Sequence, residues 1–380
     1  MLRKIALGLS ALVLLLLIAS YTAYLATGPK SPGGNSVSAE WLEPGPYETA
    51  SLDVAFIDSS RPTNANRDYA GAPARTLNTT LWYPVDVDGA HPLVIHSHGF
   101  TSNRTDMSYV AQLLASHGYV VAAADFPLTH GGAPGRPNAQ DVGNQPADVS
   151  FLIDSVSALN TEDKPFAGTI DPQRIGLMGY SLGGLTTELT TYHATLRDPR
   201  VAAAVSVAGP TTGLTESFFQ TNDVPFLMIG GTLDYLINFD ANAAPIPRLV
   251  DGSILLGIDG GTHLGFGAIA EPAFRFMKHP DSLGCEAVLS NLDSDTNTLL
   301  AQLGGAAEGI SPDENAPQVC EITPDEKALH PGEQHMITSV AIVSFFQSVF
   351  ADSAQDRLKA ASVLSNSLEA DFAAATVTHN

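Results

Sequence analysis

The chain has 380 residues, a formal charge of −22 at neutral pH and 44% hydrophobic residues. That apolar content is enough for one large core or two ordinary ones. The acidic balance excludes a nucleic-acid partner, because phosphate neutralisation needs clustered Lys and Arg, and it disfavours strongly anionic surfaces. Arg3 and Lys4 precede a run from Ile5 to Ala26 that carries no charge. This predicts a targeting segment over 1–28, either a cleaved signal peptide or an uncleaved anchor that holds the membrane through 5–26. In both cases the folded part is exported, secreted or periplasmic. The two cysteines, Cys285 and Cys320, then meet an oxidising compartment, where pairing is the default.

Residues 29–50, rich in Gly, Pro and Ser, read as a flexible tether, and 51–380 as a single domain. Ser51–Ile57 and Thr76–Tyr83 alternate as antiparallel edge strands do. His91–Phe100 is a buried strand that ends in a small polar turn, Asp106–Ser116 an amphipathic helix and Tyr119–Asp125 a second buried strand. The long Gly- and Pro-rich loop Pro127–Asn144, which holds His130, belongs near the active site, since long loops in compact domains tend to be functional. A helix over Pro146–Leu159 follows. Further buried strands are expected at Arg174–Met178, Val201–Val207, Pro225–Ile229 and Ser253–Ile258. Apolar strands alternating with helices predict the α/β class, with a mostly parallel central sheet covered by helices on both faces. Catalytic groups should then sit at the carboxyl ends of the strands. From 265 to 331 the pattern breaks: the stretch is acidic, holds both cysteines and shows no buried strand. It reads as an inserted segment, either a lid or an ornament remote from the site. A Cys285–Cys320 bridge there would stabilise by on the order of 3–4 kcal/mol. Met336–Val349 returns as a closing helix, and Leu358–Ala375 reads as an outer amphipathic helix.

The most informative stretch is Gly179-Tyr180-Ser181-Leu182-Gly183-Gly184. An apolar strand precedes it and a helical run follows, which is the context of a nucleophile elbow. A Ser hydroxyl needs an adjacent base, itself oriented by an acid. Downstream, Asp234 stands just past the strand that ends at Ile229, and His263 just past the strand that ends at Ile258. That is the order Ser, acid, His, with each group at a strand end. Asp240 lies farther from its strand, and Asp259 is too near His263 along the chain to reach its Nδ1 easily. His193, His330 and His335 have no partner in the sequence. The oxyanion donors are expected to be the backbone N–H of Leu182, next to the nucleophile, and of Phe100 in the turn His98-Gly99-Phe100. His96 and His98 share one strand face, but no third metal ligand has suitable spacing. Bracing of the loop by hydrogen bonds is the favoured role, and neither metal nor cofactor is implied.

The elbow, the His98-Gly99-Phe100 turn, the Gly231-Thr232-Leu233-Asp234 segment and His263 resemble the α/β-hydrolase superfamily. The runs Ser97–Arg104 and Asp171–Ser181 are similar to the branch that holds dienelactone hydrolase-like proteins, platelet-activating-factor acetylhydrolases, chlorophyllases and cutinase-like polyester hydrolases. The resemblance spans roughly Ser51 to Ala351 and implies the α/β-hydrolase fold and a serine ester hydrolase acting on small or lipid-like esters. Dienelactone hydrolases use Cys as nucleophile, so Ser181 implies ordinary ester hydrolysis. Polyester hydrolases place Trp or His before the nucleophile and a second Trp in the cleft; here Tyr180 precedes Ser181, and the Trp residues stand at 41 and 82. Acyl transfer, thioester cleavage and polyester hydrolysis share the same machinery. A non-catalytic binding protein on this fold is the reading of a different class.

Overall fold

The computed structural model describes residues 28–159, 166, 168–292, 296–323 and 325–380, with isolated positions 14, 15, 18 and 22. The targeting segment expected over 1–28 therefore lies almost wholly outside the described residues. Among the described residues no helix is long and apolar enough to cross a membrane.

One sheet is formed by β1 (Thr49–Asp58), β2 (Arg75–Pro84), β3 (Ala90–Ser97), β4 (Val120–Asp125), β5 (Thr169–Tyr180), β6 (Val201–Val207), β7 (Phe226–Gly231), β8 (Ile254–Ile258) and β9 (Ala375–His379). Their order is β1-β2-β4-β3-β5-β6-β7-β8-β9. The strands from β4 across to β8 run parallel, while β1, β2 and β9 pair antiparallel at the two sides. Every residue of β4 and of β7 is buried, as continuous apolar strands require when helices cover both faces. The helices that matter here are α1 (Val37–Leu42), α2 (Ser108–Ser116), α3 (Gln145–Ser157), α4 (Leu182–Tyr192), α5 (Asp281–Leu289), α6 (Thr296–Leu303), α7 (Pro331–Phe350) and α8 (Ala354–Ser362). On one face Val110 and Leu114 of α2 pack with Val340 and Phe346 of α7 over Val94, Met178 and Val205. On the other, Leu152 of α3 lies over Leu93, Ile95 and Leu177, and Leu185 and Leu189 of α4 over Ala204 and Met228. This is the α/β architecture expected from the sequence.

Two parts differ from expectation. The supposed tether carries α1, whose first turn is capped by the Ser36 side chain. Its Ser38 N–H donates to Asp371 at 2.9 Å, and Trp41 and Leu42 pack against the core. Glycine and proline flanks conceal the single apolar turn that docks. The outer helix runs from α8 through a π turn over Val363–Ser367 to a last turn at Leu368–Asp371, and where it was expected to reach Ala375 the chain instead returns as β9, which pairs with β8. Without β9 the backbone groups of β8 would form an open edge, a template for unwanted pairing. The segment from 265 to 331 is packed onto the domain. Leu300 and Leu303 of α6, together with Ile310, are buried beside Leu185 and Leu189. The expected Cys285–Cys320 disulfide is present.

Candidate active site

Strand β5 delivers its chain into α4 through Ser181, whose φ of 57° and ψ of −122° lie where non-glycine residues rarely sit. Such backbone strain costs about 1–3 kcal/mol and persists only where the surroundings enforce it. Here the enforcement is steric. A Cβ on Gly179 would come 1.9 Å from the Gly183 carbonyl oxygen, and one on Gly183 would come 2.0 Å from the Ser97 carbonyl oxygen. The first turn of α4 thus lies directly on the ends of β5 and β3, a closeness that only glycine permits. The Ser181 N–H donates to Val207 O at 2.8 Å, which ties the elbow to β6.

The turns after β7 and β8 bring up the partners. His263 Nε2 lies 2.8 Å from Ser181 Oγ, and His263 Nδ1 lies 2.7 Å from Asp234 Oδ2. A carboxylate only accepts, so Nδ1 carries the proton and Nε2 offers its lone pair to the serine hydroxyl. The other oxygen of Asp234 accepts the N–H groups of Leu236 at 2.8 Å and Ile237 at 2.7 Å, which fixes the carboxylate plane. Burial works to lower the His263 pKa, but the Asp234 charge and hydrogen bond, with the charge of Asp281 behind them, outweigh it and the net shift is upward. Asp240 and Asp259 stand outside this relay: Asp240 is in a short helix over Phe239–Asn242, and Asp259 accepts from Thr232.

The Phe100 and Leu182 backbone N–H groups, the expected oxyanion donors, have no acceptor among the described residues. The Phe100 turn is braced from behind. Asp106 accepts the Gly99 N–H at 3.0 Å and bonds His96 Nε2 at 2.6 Å. His98 Nε2 accepts the Phe126 N–H at 3.0 Å, so its Nδ1 donates to Gly99 O at 2.8 Å. Burial accordingly keeps the His98 pKa down. His98 thus uses both ring nitrogens to hold the turn, and His96 only its Nε2, its buried Nδ1 having no partner among the described residues. The loop over 127–144 joins in, with Thr101 N–H donating to Thr129 O and Gly131 N–H to Ser102 O. Gly99 lets this backbone approach, since a Cβ there would stand 3.3 Å from that of Ser181.

Ser181 opens onto two apolar arms. The narrower, about 90 Å³, runs between Leu182, Pro210 and Ile237 and the excursion residues Leu292, Leu299 and Val319. The wider, about 700 Å³, runs past His263 to Ile269, Phe274 and Leu283. The excursion therefore walls both. Of the remaining histidines, His193 bonds Leu303 O at 2.9 Å, His330 caps α7, and His335 stacks on Tyr109. Among the described residues no cluster of His, Cys, Asp or Glu is arranged to hold a metal ion.

A model of the PET hydrolase-like family matches residues 48–268. The chain belongs to that family. Relatives include cutinase 2 of Thermobifida cellulosilytica, 27% identical over 188 residues that cover 48% of this chain and 64% of that protein. Cutinase cut1 of Thermobifida fusca is 27% identical over 188 residues, covering 48% of this chain and 53% of that protein. The bis(hydroxyethyl) terephthalate hydrolase of Streptomyces coelicolor is 26% identical over 273 residues, covering 69% of this chain and 76% of that protein. The chain thus spans less than two thirds of the cutinases it matches. For this PET hydrolase-like chain the family match ends just past His263, so nearly all of the excursion and the whole of α7 lie beyond it. Tyr180, which precedes Ser181, is 6% exposed and donates its hydroxyl to His263 O at 2.9 Å. Trp82 is buried in the core, and Trp41 stacks on His117 at 6.4 Å.

One site residue escaped sequence reasoning altogether. Asp281, the first residue of α5, is fully buried. It accepts the N–H groups of Tyr235 at 3.0 Å, His263 at 2.8 Å and Leu264 at 2.8 Å. The sequence Pro280-Asp281 signals a helix start but says nothing of these distant partners.

Proposed function

We propose that this chain is an exported serine hydrolase of carboxylic esters, with Ser181 as nucleophile, His263 as general base and Asp234 as orienting acid. The observation that carries the reading is the continuous relay from Asp234 through His263 to a strained, cleft-facing Ser181. Ser181 Oγ attacks the ester carbonyl as its proton passes to His263 Nε2. The oxyanion of the tetrahedral intermediate is received by the Phe100 and Leu182 N–H groups. Collapse breaks the bond to the alcohol, which leaves with the proton from His263; water, deprotonated by the same imidazole, then releases the acid. The disulfide supports export, because such bonds persist in oxidising compartments.

The two arms suit an ester with unequal apolar limbs, a slim one beneath Leu292 and Leu299 and a bulkier one beside Ile269 and Phe274. A second reading, cleavage of aromatic diesters or polyesters, draws support from the cutinases and the terephthalate-ester hydrolase among the relatives. A fluorophosphonate probe tests the enzyme reading, with Ser181 labelled in the folded protein as the expected result. Unlabelled Ser181 leaves the rival reading of a non-catalytic binding protein. A panel of short- and long-chain nitrophenyl esters with bis(hydroxyethyl) terephthalate separates the two substrate classes.

A further inference from the structure

Asp281 belongs to the excursion, beyond the end of the family match, yet its partners are the two loops that present the acid and the base. Tyr235 follows Asp234 directly, and His263 and Leu264 are the base and its neighbour. One carboxylate thus receives three backbone N–H groups from both loops, 46, 18 and 17 residues away along the chain. The attachment is doubled. Cys285, one turn along α5 from Asp281, is bonded to Cys320, whose own N–H donates to Tyr235 O at 3.0 Å. We propose that Asp281 is a positioning residue for the catalytic pair, tying the acid loop to the base loop and adding a second negative charge beside the imidazole. The inference rests on the serine-hydrolase reading for its kinetics, but not for its electrostatics.

The groups around this cluster leave little else to supply that charge. Tyr180 has its pKa pushed well up by burial and faces Asp106, Asp234, Asp281 and Tyr109, so it stays neutral. His279 stacks on Tyr235 at 3.5 Å, and burial holds its pKa down, with Asp234, Glu326 and Lys278 in range. Asp281 itself is pushed up to about 7, by burial first and then by the Asp234 charge, with His263 and the N–H donors of Tyr235 and Leu264 opposing. A carboxylate that ionises in the same range as the adjacent imidazole couples the two titrations.

The test is Asp281→Asn, which keeps the size, removes the charge and turns one accepting oxygen into an amide donor that faces a backbone N–H. The acidic limb of kcat/KM should move down by about one pH unit, since the imidazolium loses a stabilising neighbour. kcat should fall on the order of 10- to 100-fold through misplacement of the pair, with KM for a small nitrophenyl ester unchanged. An unmoved limb, with activity falling only in step with thermal stability, overturns the proposal. If the variant does not fold, the wild-type protein decides by NMR: the His263 Nδ1 proton resonance should titrate in two steps across the neutral range, and a single step overturns the coupling. That measurement needs no turnover. An unlabelled Ser181 would sink the hydrolase reading while the NMR result still decides whether Asp281 places its charge beside the imidazole.

Discussion

At Ser181 the restraint is contact between neighbouring backbone segments, with Gly179 and Gly183 leaving no room for a Cβ. At Asp234 and His263 the restraint is hydrogen bonding from far along the chain, through Asp281 and the bridged cysteines. The proposed nucleophile is thus set by a short motif inside the family match, and the proposed acid and base by a segment almost entirely outside it. Steric restraint of this kind is local, unforgiving and insensitive to pH. Restraint by a buried carboxylate can be loosened by degrees and titrates. The excursion also walls both arms of the cleft, so positioning and substrate fit share one element.

The most disruptive way to probe this contrast is Gly183→Ala. The added Cβ meets backbone, so a loss of more than about 4 kcal/mol or outright failure to fold is expected, read by thermal denaturation; a well-folded active variant would show the elbow to be far softer than its contacts imply. Next come Ser181→Ala and His263→Ala. Each should cost on the order of 10⁶ in kcat, with the double variant little worse, because the two act as one unit, and neither should unfold the protein. Asp234→Asn should cost about 10⁴ through the wrong imidazole tautomer, whereas Asp259→Asn should cost nothing; steady-state kinetics on one ester reads both, and the reverse result would move the acid to Asp259.

Replacing Cys285 and Cys320 by Ser loosens the distant restraint and leaves the elbow untouched. Removing a link across 35 residues should lower stability by roughly 3–4 kcal/mol. It should also change the kcat/KM ratio between short- and long-chain esters, since Val288 and Val319 beside the bridge line the narrow arm. An unchanged ratio would reduce the bridge to a staple. The mildest probe is pH. The His263 pKa is raised by its carboxylate neighbours, so kcat/KM should decline as pH drops through a value above the ordinary histidine value of about 6.5. Stability runs the other way for this group. A raised folded-state pKa contributes stability that is fully present below the unfolded value and lost as pH rises through the folded one. Activity and melting profiles taken across the neutral range read both signs, and an acidic limb below about 6.5 would remove the upward shift.

Periodicity and strand-end motifs made the central sheet, the elbow and the order Ser181, Asp234, His263 legible in the sequence, because each is encoded within a few adjacent residues. Even the pairing of Cys285 with Cys320 followed from their number and the expectation of export. The docking of α1, the reversal into β9 and the role of Asp281 were decided by tertiary structure. Thr376, Val377 and Thr378 are β-branched and suit a strand, but five residues record neither β8 as the partner nor the antiparallel register that covers its edge. The partners of Asp281 are backbone N–H groups, which every residue but proline carries, so no residue type at 235, 263 or 264 marks them as its donors. Only the folded chain, with α5 laid across both loops, selects that carboxylate from the many acids of this sequence.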